Sequence, residues 1–141
     1  MNSARQLAWR AFVWGTWLVL GLVVLQVFLA GLGVFVYPGF FFWHASVNAT
    51  VVFLLPVLLI LAGWYGGVPI RLRWLMGAVP ALTVLQSLLL FPYHMNAQGV
   101  LRAISALHVV NALFIFWVAF QLVERTRLYM ASPVGTDQVG R

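Results

Sequence analysis

The 141-residue chain has no cysteine and no lysine, and only two acidic residues, Glu124 and Asp137. Without cysteine it can form no disulfide, iron–sulfur cluster or thiolate-held metal site. Charged residues make up only 7% of the chain, against roughly 25% in soluble domains. Hydrophobic residues make up 64%, and the mean hydropathy is +1.01. A chain this short cannot bury that much apolar surface in water, so the composition predicts an integral membrane protein. At roughly 20 apolar residues per span, it has room for four spans and no sizeable soluble domain.

What charge there is comes from eight arginines, giving a net +6. They lie at the ends of apolar runs rather than in a stripe, which suits topology determinants and not a nucleic-acid surface. The runs predict spans over about 9–36, 40–65, 74–92 and 103–123. Between them lie turn-forming stretches, "YPG" at 37–39, "YGGVP" at 65–69 and "FPYHMNAQG" at 91–99. The first run follows Arg5 and Arg10 but is too long for the core of a signal peptide, so it reads as a retained span. Four spans put Arg5, Arg10, Arg71, Arg73, Arg125, Arg127 and Arg141 on one side and Arg102 on the other. The positive-inside rule then places both termini in the cytoplasm of a bacterial or archaeal plasma membrane. The expected organisation is a membrane domain over 1–130 with a short cytoplasmic tail over 131–141. Trp9, Trp43, Trp64 and Trp74, near span ends, read as an interfacial belt.

The chain repeats itself. "VLQ" occurs at 24–26 and again at 84–86; His44 is followed by Asn48-Ala49, and His108 by Asn111-Ala112. The sequence thus predicts an all-α bundle of two repeated helix pairs. Spans two and four run in the same direction, each with its histidine one to two turns from the outer end. Related by a pseudo-two-fold axis along the membrane normal, His44 and His108 would face one another at one depth. Asn48 and Asn111, four and three residues after their histidines, fall on the same helical faces.

Two facing imidazoles inside an apolar four-helix bundle suit b-type haem, held by axial nitrogens from opposite helices. His44 and His108 are the candidate iron ligands. Gln26, Gln86, Asn48 and Asn111 are candidate cofactor contacts, and Arg102 is a candidate propionate partner assisted by Tyr93 and His94. Small residues beside Gln26, at Ala30 and Gly33, allow close approach of a flat ring. Zinc wants more donors than these. Proton transport usually shows carboxylates within spans, and both acids here lie at or beyond the end of span four. A quinone site drawing on Gln26, Gln86, His44 and Asn48 stays open. So do blander readings: the amides as interhelical glue, Arg102 as an interfacial anchor, His94 as a surface loop residue.

These residues bear a family likeness. "VLQVFLAGLGVF", "WHASVNA", "VLQ" and "LHVVNALFIFWVAF" together resemble one four-helix half of the haem A synthase family over roughly residues 18–125. The chain also resembles a family of small, uncharacterised four-helix membrane proteins with an LHxxNA motif. The first resemblance implies haem ligation by His44 and His108. It does not extend to oxidation of a haem methyl group. Phe41, Phe42 and Trp43 stand where that family usually carries a carboxylate, the outer-loop cysteines are missing, and there is no second half. The expectation is a haem protein for electron transfer or haem handling near the outer leaflet, non-enzymatic rather than catalytic. The rivals are an accessory subunit of a larger respiratory or photosynthetic membrane complex, and a quinone-binding protein.

Overall fold

The computed structural model describes residues 2–132, so most of the expected tail, with Asp137 and Arg141, lies outside the described residues. Four long helical runs are each long and apolar enough to cross a membrane, and no strand occurs among the described residues. Helix α1 covers Ser3–Phe35. The second run consists of α2 (Phe40–Val47), a π-helical turn (Asn48–Val52) and α3 (Phe53–Gly66). Helix α4 covers Ile70–Leu89. Two short helices follow, α5 (Phe91–His94) and α6 (Gly99–Ala103), then a 3-10 turn (Ile104–Ala106) and α7 (Leu107–Ala131).

The helices overrun the apolar segments at the end that carries both described termini. Helix α1 begins at Ser3, where the Asn2 side chain accepts from the Arg5 backbone N–H at 2.9 Å and satisfies one of the free amides of the first turn. At about 1.5 Å rise per residue, its 33 residues reach well past a hydrocarbon layer about 30 Å thick. Helix α7 likewise runs to Ala131, and its polar last turns carry the Glu124–Arg127 ion pair at 3.3 Å. Apolar runs mark the part of a helix that sits in lipid and miss the turns that continue into water.

Each main helix packs on two neighbours, in the cyclic order α1, α3, α4, α7. The α3–α4 hairpin turns through Gly67, whose φ of +77° suits a residue without a Cβ, and Val68 N–H bonds back to the Gly63 carbonyl at 2.8 Å. Next to it, α1 and α3 nearly touch: a Cβ on Gly66 would lie 2.8 Å from the Trp9 backbone nitrogen. Trp9 in turn stacks on Tyr129 of α7, with ring centroids 6.4 Å apart. The hydrophobic core fills the termini half of the bundle. It runs from Trp9, Phe12 and Leu72 up to Val23, Val79 and Ile115. The other half is looser and contains the polar residues.

Burial shows the repeat in full. In α1 the buried positions include Phe12, Thr16, Val19, Val23 and Gln26; in α4 they include Leu72, Met76, Val79, Thr83 and Gln86. Each matches its counterpart at an offset of 60 residues. In the second pair, buried Val52, Pro56, Leu59 and Gly63 match buried Ile115, Ala119, Leu122 and Thr126 at an offset of 63. His44 and His108, however, are offset by 64. The first half therefore carries one extra residue between its histidine and its core, and the π-helical turn lies in that interval. A π turn takes up an added residue without rotating the helix beyond it. Pro56 has no N–H to offer the Val52 carbonyl, and its ring crowds that carbonyl, so the wide turn falls where α-helical bonding is already broken.

Candidate cofactor cleft

The two histidines hang from diagonally opposed helices and meet across the bundle axis. Their ring centroids are 6.5 Å apart and the planes cross at 64°. Each ring is tethered to the backbone of its own hairpin partner: His44 Nδ1 lies 3.0 Å from the Gln26 carbonyl oxygen, and His108 Nδ1 lies 3.2 Å from that of Gln86. A carbonyl can only accept, so both Nδ1 atoms are protonated donors. In each neutral ring the free lone pair therefore sits on Nε2. Metal-binding histidines are commonly oriented by this same outer bond, Nδ1–H to a backbone carbonyl. The repeated glutamine matters here first for its main chain.

Both rings help to line a cavity of about 270 Å³. Gln26, His44, Asn48, Gln86 and His108 are its polar lining, and most of the remaining wall is aliphatic, with Phe116 the one aromatic. Val27, Val109 and Leu113 also line it, yet they are largely exposed on the outside of the bundle. The space is thus a cleft between helices rather than a closed void.

The two glutamine side chains behave differently. Gln86 is 6% exposed and fully engaged: its Nε2 donates to His108 Nε2 at 3.1 Å, and its Oε1 accepts from Asn111 Nδ2. Asn111, 5% exposed, also donates to the Leu82 carbonyl at 2.9 Å. Gln26 is equally buried at 7%, but among the described residues neither its Oε1 nor its Nε2 has a partner, and none bonds His44 Nε2.

Of the seven candidate contacts read from the sequence, five meet in the cleft: His44, His108, Gln26, Gln86 and Asn48. Asn111 stands behind Gln86 rather than in the lining, and holds that amide in place. Arg102 lies outside the lining too, on α6 beyond the 3-10 turn, with its guanidinium 5.2 Å over the Tyr93 ring. Tyr93 also meets His94 edge to face at 5.7 Å, so the three loop residues form their own cluster at the far end of the bundle. The sequence reading missed the two glutamine carbonyls, which leave no trace in residue type, and the π turn. The unequal histidine–asparagine spacings of four and three were the one available sign of that turn.

The donor set fits one ligand geometry better than others. Two imidazoles sharing one metal ion, each bonding at about 2 Å through a single nitrogen, have ring centroids about 6 Å apart. The observed 6.5 Å is close to that. Among the described residues no group of three or more histidine, cysteine, aspartate or glutamate side chains comes together, so a site built on this pair must take its other donors from the ligand itself. A macrocycle brings donor nitrogens of its own. The enclosed space is smaller than a porphyrin, and it is open to the outside of the bundle beside Val27, Val109 and Leu113.

Residues 26–94 are similar to a protein family of unknown function, DUF6220, a match that starts at Gln26 and stops short of His108. No curated protein and no solved structure matches the chain.

Proposed function

We propose that the protein is a membrane haem-binding protein that takes a b-type haem between His44 and His108, for electron transfer or for handling the haem itself. The observation that carries this reading is the pair of facing imidazoles, each fixed by an Nδ1–H bond to the carbonyl of a repeated glutamine, with centroids 6.5 Å apart. Placing two half-buried histidines in a membrane-spanning bundle is costly, and such residues usually mark a functional path or ligand. The bound haem would supply one-electron redox chemistry. His44 and His108 would hold the haem, the Gln26 and Gln86 carbonyls would orient their rings, and the apolar wall would keep water from the site. Among the described residues the Asn48 side chain has no partner, and it lines the cleft, where it can donate to the ligand edge. Arg102, on the loop cluster beyond the cleft, is the candidate partner for propionates at the polar boundary.

The reading extends to location and assembly. The arginine ring at the termini end, Arg5, Arg10, Arg71, Arg73, Arg125 and Arg127, supports a cytoplasmic placement of that end in a bacterial or archaeal plasma membrane. The far end and the cleft then lie toward the outer leaflet. Redox partners would dock through the membrane or at its surface, as in an accessory subunit of a larger respiratory or photosynthetic complex.

A second reading rests on Gln26. Its buried, unpartnered amide beside His44 offers one donor and one acceptor to a quinone head group in the same apolar cleft. The test is spectroscopic. The full chain, expressed with haem supplementation and purified in mild detergent, is expected to show a Soret band. A sharp alpha band should appear in the reduced-minus-oxidised spectrum and disappear in both His44→Ala and His108→Ala. Folded protein with no Soret absorbance sinks the haem reading; extraction of a quinone from that same protein would favour the second.

A further inference from the structure

We infer that the two histidines are unequal ligands: His44 is open, while His108 is latched by the Gln86 amide, which must turn away before His108 can bind a metal. This rests on the haem reading and adds an order of events to it. The Gln86 Nε2–H group points its proton at the lone pair of His108 Nε2 at 3.1 Å. A lone pair engaged in that bond is unavailable to iron. The amide is held in this pose from behind, because Asn111 donates to its Oε1 and is itself anchored on the Leu82 carbonyl. His108 keeps its Nδ1 tether to the Gln86 carbonyl throughout, so release needs only rotation of the glutamine side chain.

The first half of the repeat shows the released arrangement. Gln26 occupies the position equivalent to Gln86 and is just as buried, but its amide bonds neither His44 nor anything else. Its counterpart to Asn111 is Asn48, which faces the cleft instead of gripping the glutamine. The difference follows from the extra residue in the first half, taken up by the π turn that begins at Asn48. In the second half an unbroken α-helix delivers Asn111 behind Gln86. Gln86 is thus a positioning residue that acts on the site through His108.

The test titrates the ligand-free full chain in detergent with ferric haem, following spin state by absorbance and electron paramagnetic resonance. In the wild type, a concentration-dependent phase should give a five-coordinate high-spin species, followed by a slower, concentration-independent conversion to a six-coordinate low-spin species. His108→Ala should stop at the first species, and His44→Ala should lose the first phase. Gln86→Leu should speed the second phase about fivefold or more, the effect of removing one hydrogen bond. Asn111→Leu, which frees the glutamine oxygen, should act in the same direction and serves as a second variant should Gln86→Leu fold poorly. Direct one-step formation of the low-spin species in the wild type, at the rate shown by Gln86→Leu, overturns the latch while leaving the haem reading intact. So do equal haem affinities and equal spin states in the two histidine variants. Absence of any histidine-dependent haem spectrum overturns both.

Discussion

The two halves of the bundle start from the same pattern, glutamine, histidine and asparagine in that order, and finish with different hydrogen bonding. In the second half the amides of Gln86 and Asn111 and the ring of His108 close into one network. In the first, His44 keeps only its backbone tether, Gln26 is buried without partners, and Asn48 faces open space. The residue types are the same, so the difference is one of register. A π turn begins at Asn48 where a regular α-helix follows Asn111, and Asn48 makes no bond to Gln26. A repeat can thus keep its chemistry while one copy stays satisfied and the other stays ready to bind.

The sharpest way to break this comparison is to change the register itself. Deleting Val110 rotates Asn111, Ile115, Ala119 and Leu122 by about 100° away from the core. This should cost more than about 5 kcal/mol, the scale of losing several core side chains at once, and no folded bundle should survive extraction. Deleting Ala49 together with Pro56→Ala should instead convert the π turn to regular α-helix and cost about 1 kcal/mol or less. Helicity and melting in detergent distinguish the two. Equal damage from both deletions would refute the assignment of the extra residue to the π turn.

The asparagines should separate next. Asn111→Ala removes two hydrogen bonds and leaves the buried Gln86 oxygen unsatisfied, at a cost of about 2 kcal/mol. Asn48→Ala removes no hydrogen bond from the ligand-free protein and should stay within about 0.5 kcal/mol. Unfolding in mixed micelles measures both.

Much of this was legible in the sequence, and the gaps have identifiable causes. Composition and run length give the four spans because lipid imposes one simple demand on side chains. The motif order gives the facing histidines and three more of the cleft residues, Gln26, Gln86 and Asn48. The turns beyond the apolar runs, Ser3 to Ala8 and Glu124 to Ala131, are helical because capping and ion pairing continue where hydropathy has fallen. The tethers from Gln26 and Gln86 use main-chain oxygens, which every residue has, so no residue type announces them. The placement of Asn111 behind Gln86, rather than in the cleft with Asn48, depends on a few tens of degrees of helical rotation. Spacings of three and four cannot resolve that on an ideal helix, although their inequality was the visible trace of the π turn.

The glutamines offer a finer test, with opposite signs. Gln26→Leu replaces an unpartnered buried amide by an apolar side chain of similar size and should stabilise the ligand-free protein by about 1 kcal/mol. Gln86→Leu breaks the bonds to His108 and Asn111 and should destabilise it by a similar amount. If both changes stabilise, the second-half network contributes nothing net to the fold.

The smallest effect is expected one turn earlier, where the halves already differ by substitution. Val23 and Thr83 occupy equivalent buried positions, 4% and 3% exposed. The Thr83 hydroxyl bonds only within its own helix, to the Val79 carbonyl at 2.9 Å, so it ties no two helices together. Thr83→Val keeps the branched shape and removes a polar group that lipid-side burial does not reward. The change in stability should fall within about 0.5 kcal/mol, the range of substitutions that break no network. The reverse exchange, Val23→Thr, should be equally mild, because a threonine on a helix can satisfy its own hydroxyl one turn back. A loss above 1 kcal/mol on either side would mean that the halves differ in packing around this position as well as in hydrogen bonding above it. The one-residue shift in the π turn would then be too small a cause for the asymmetry.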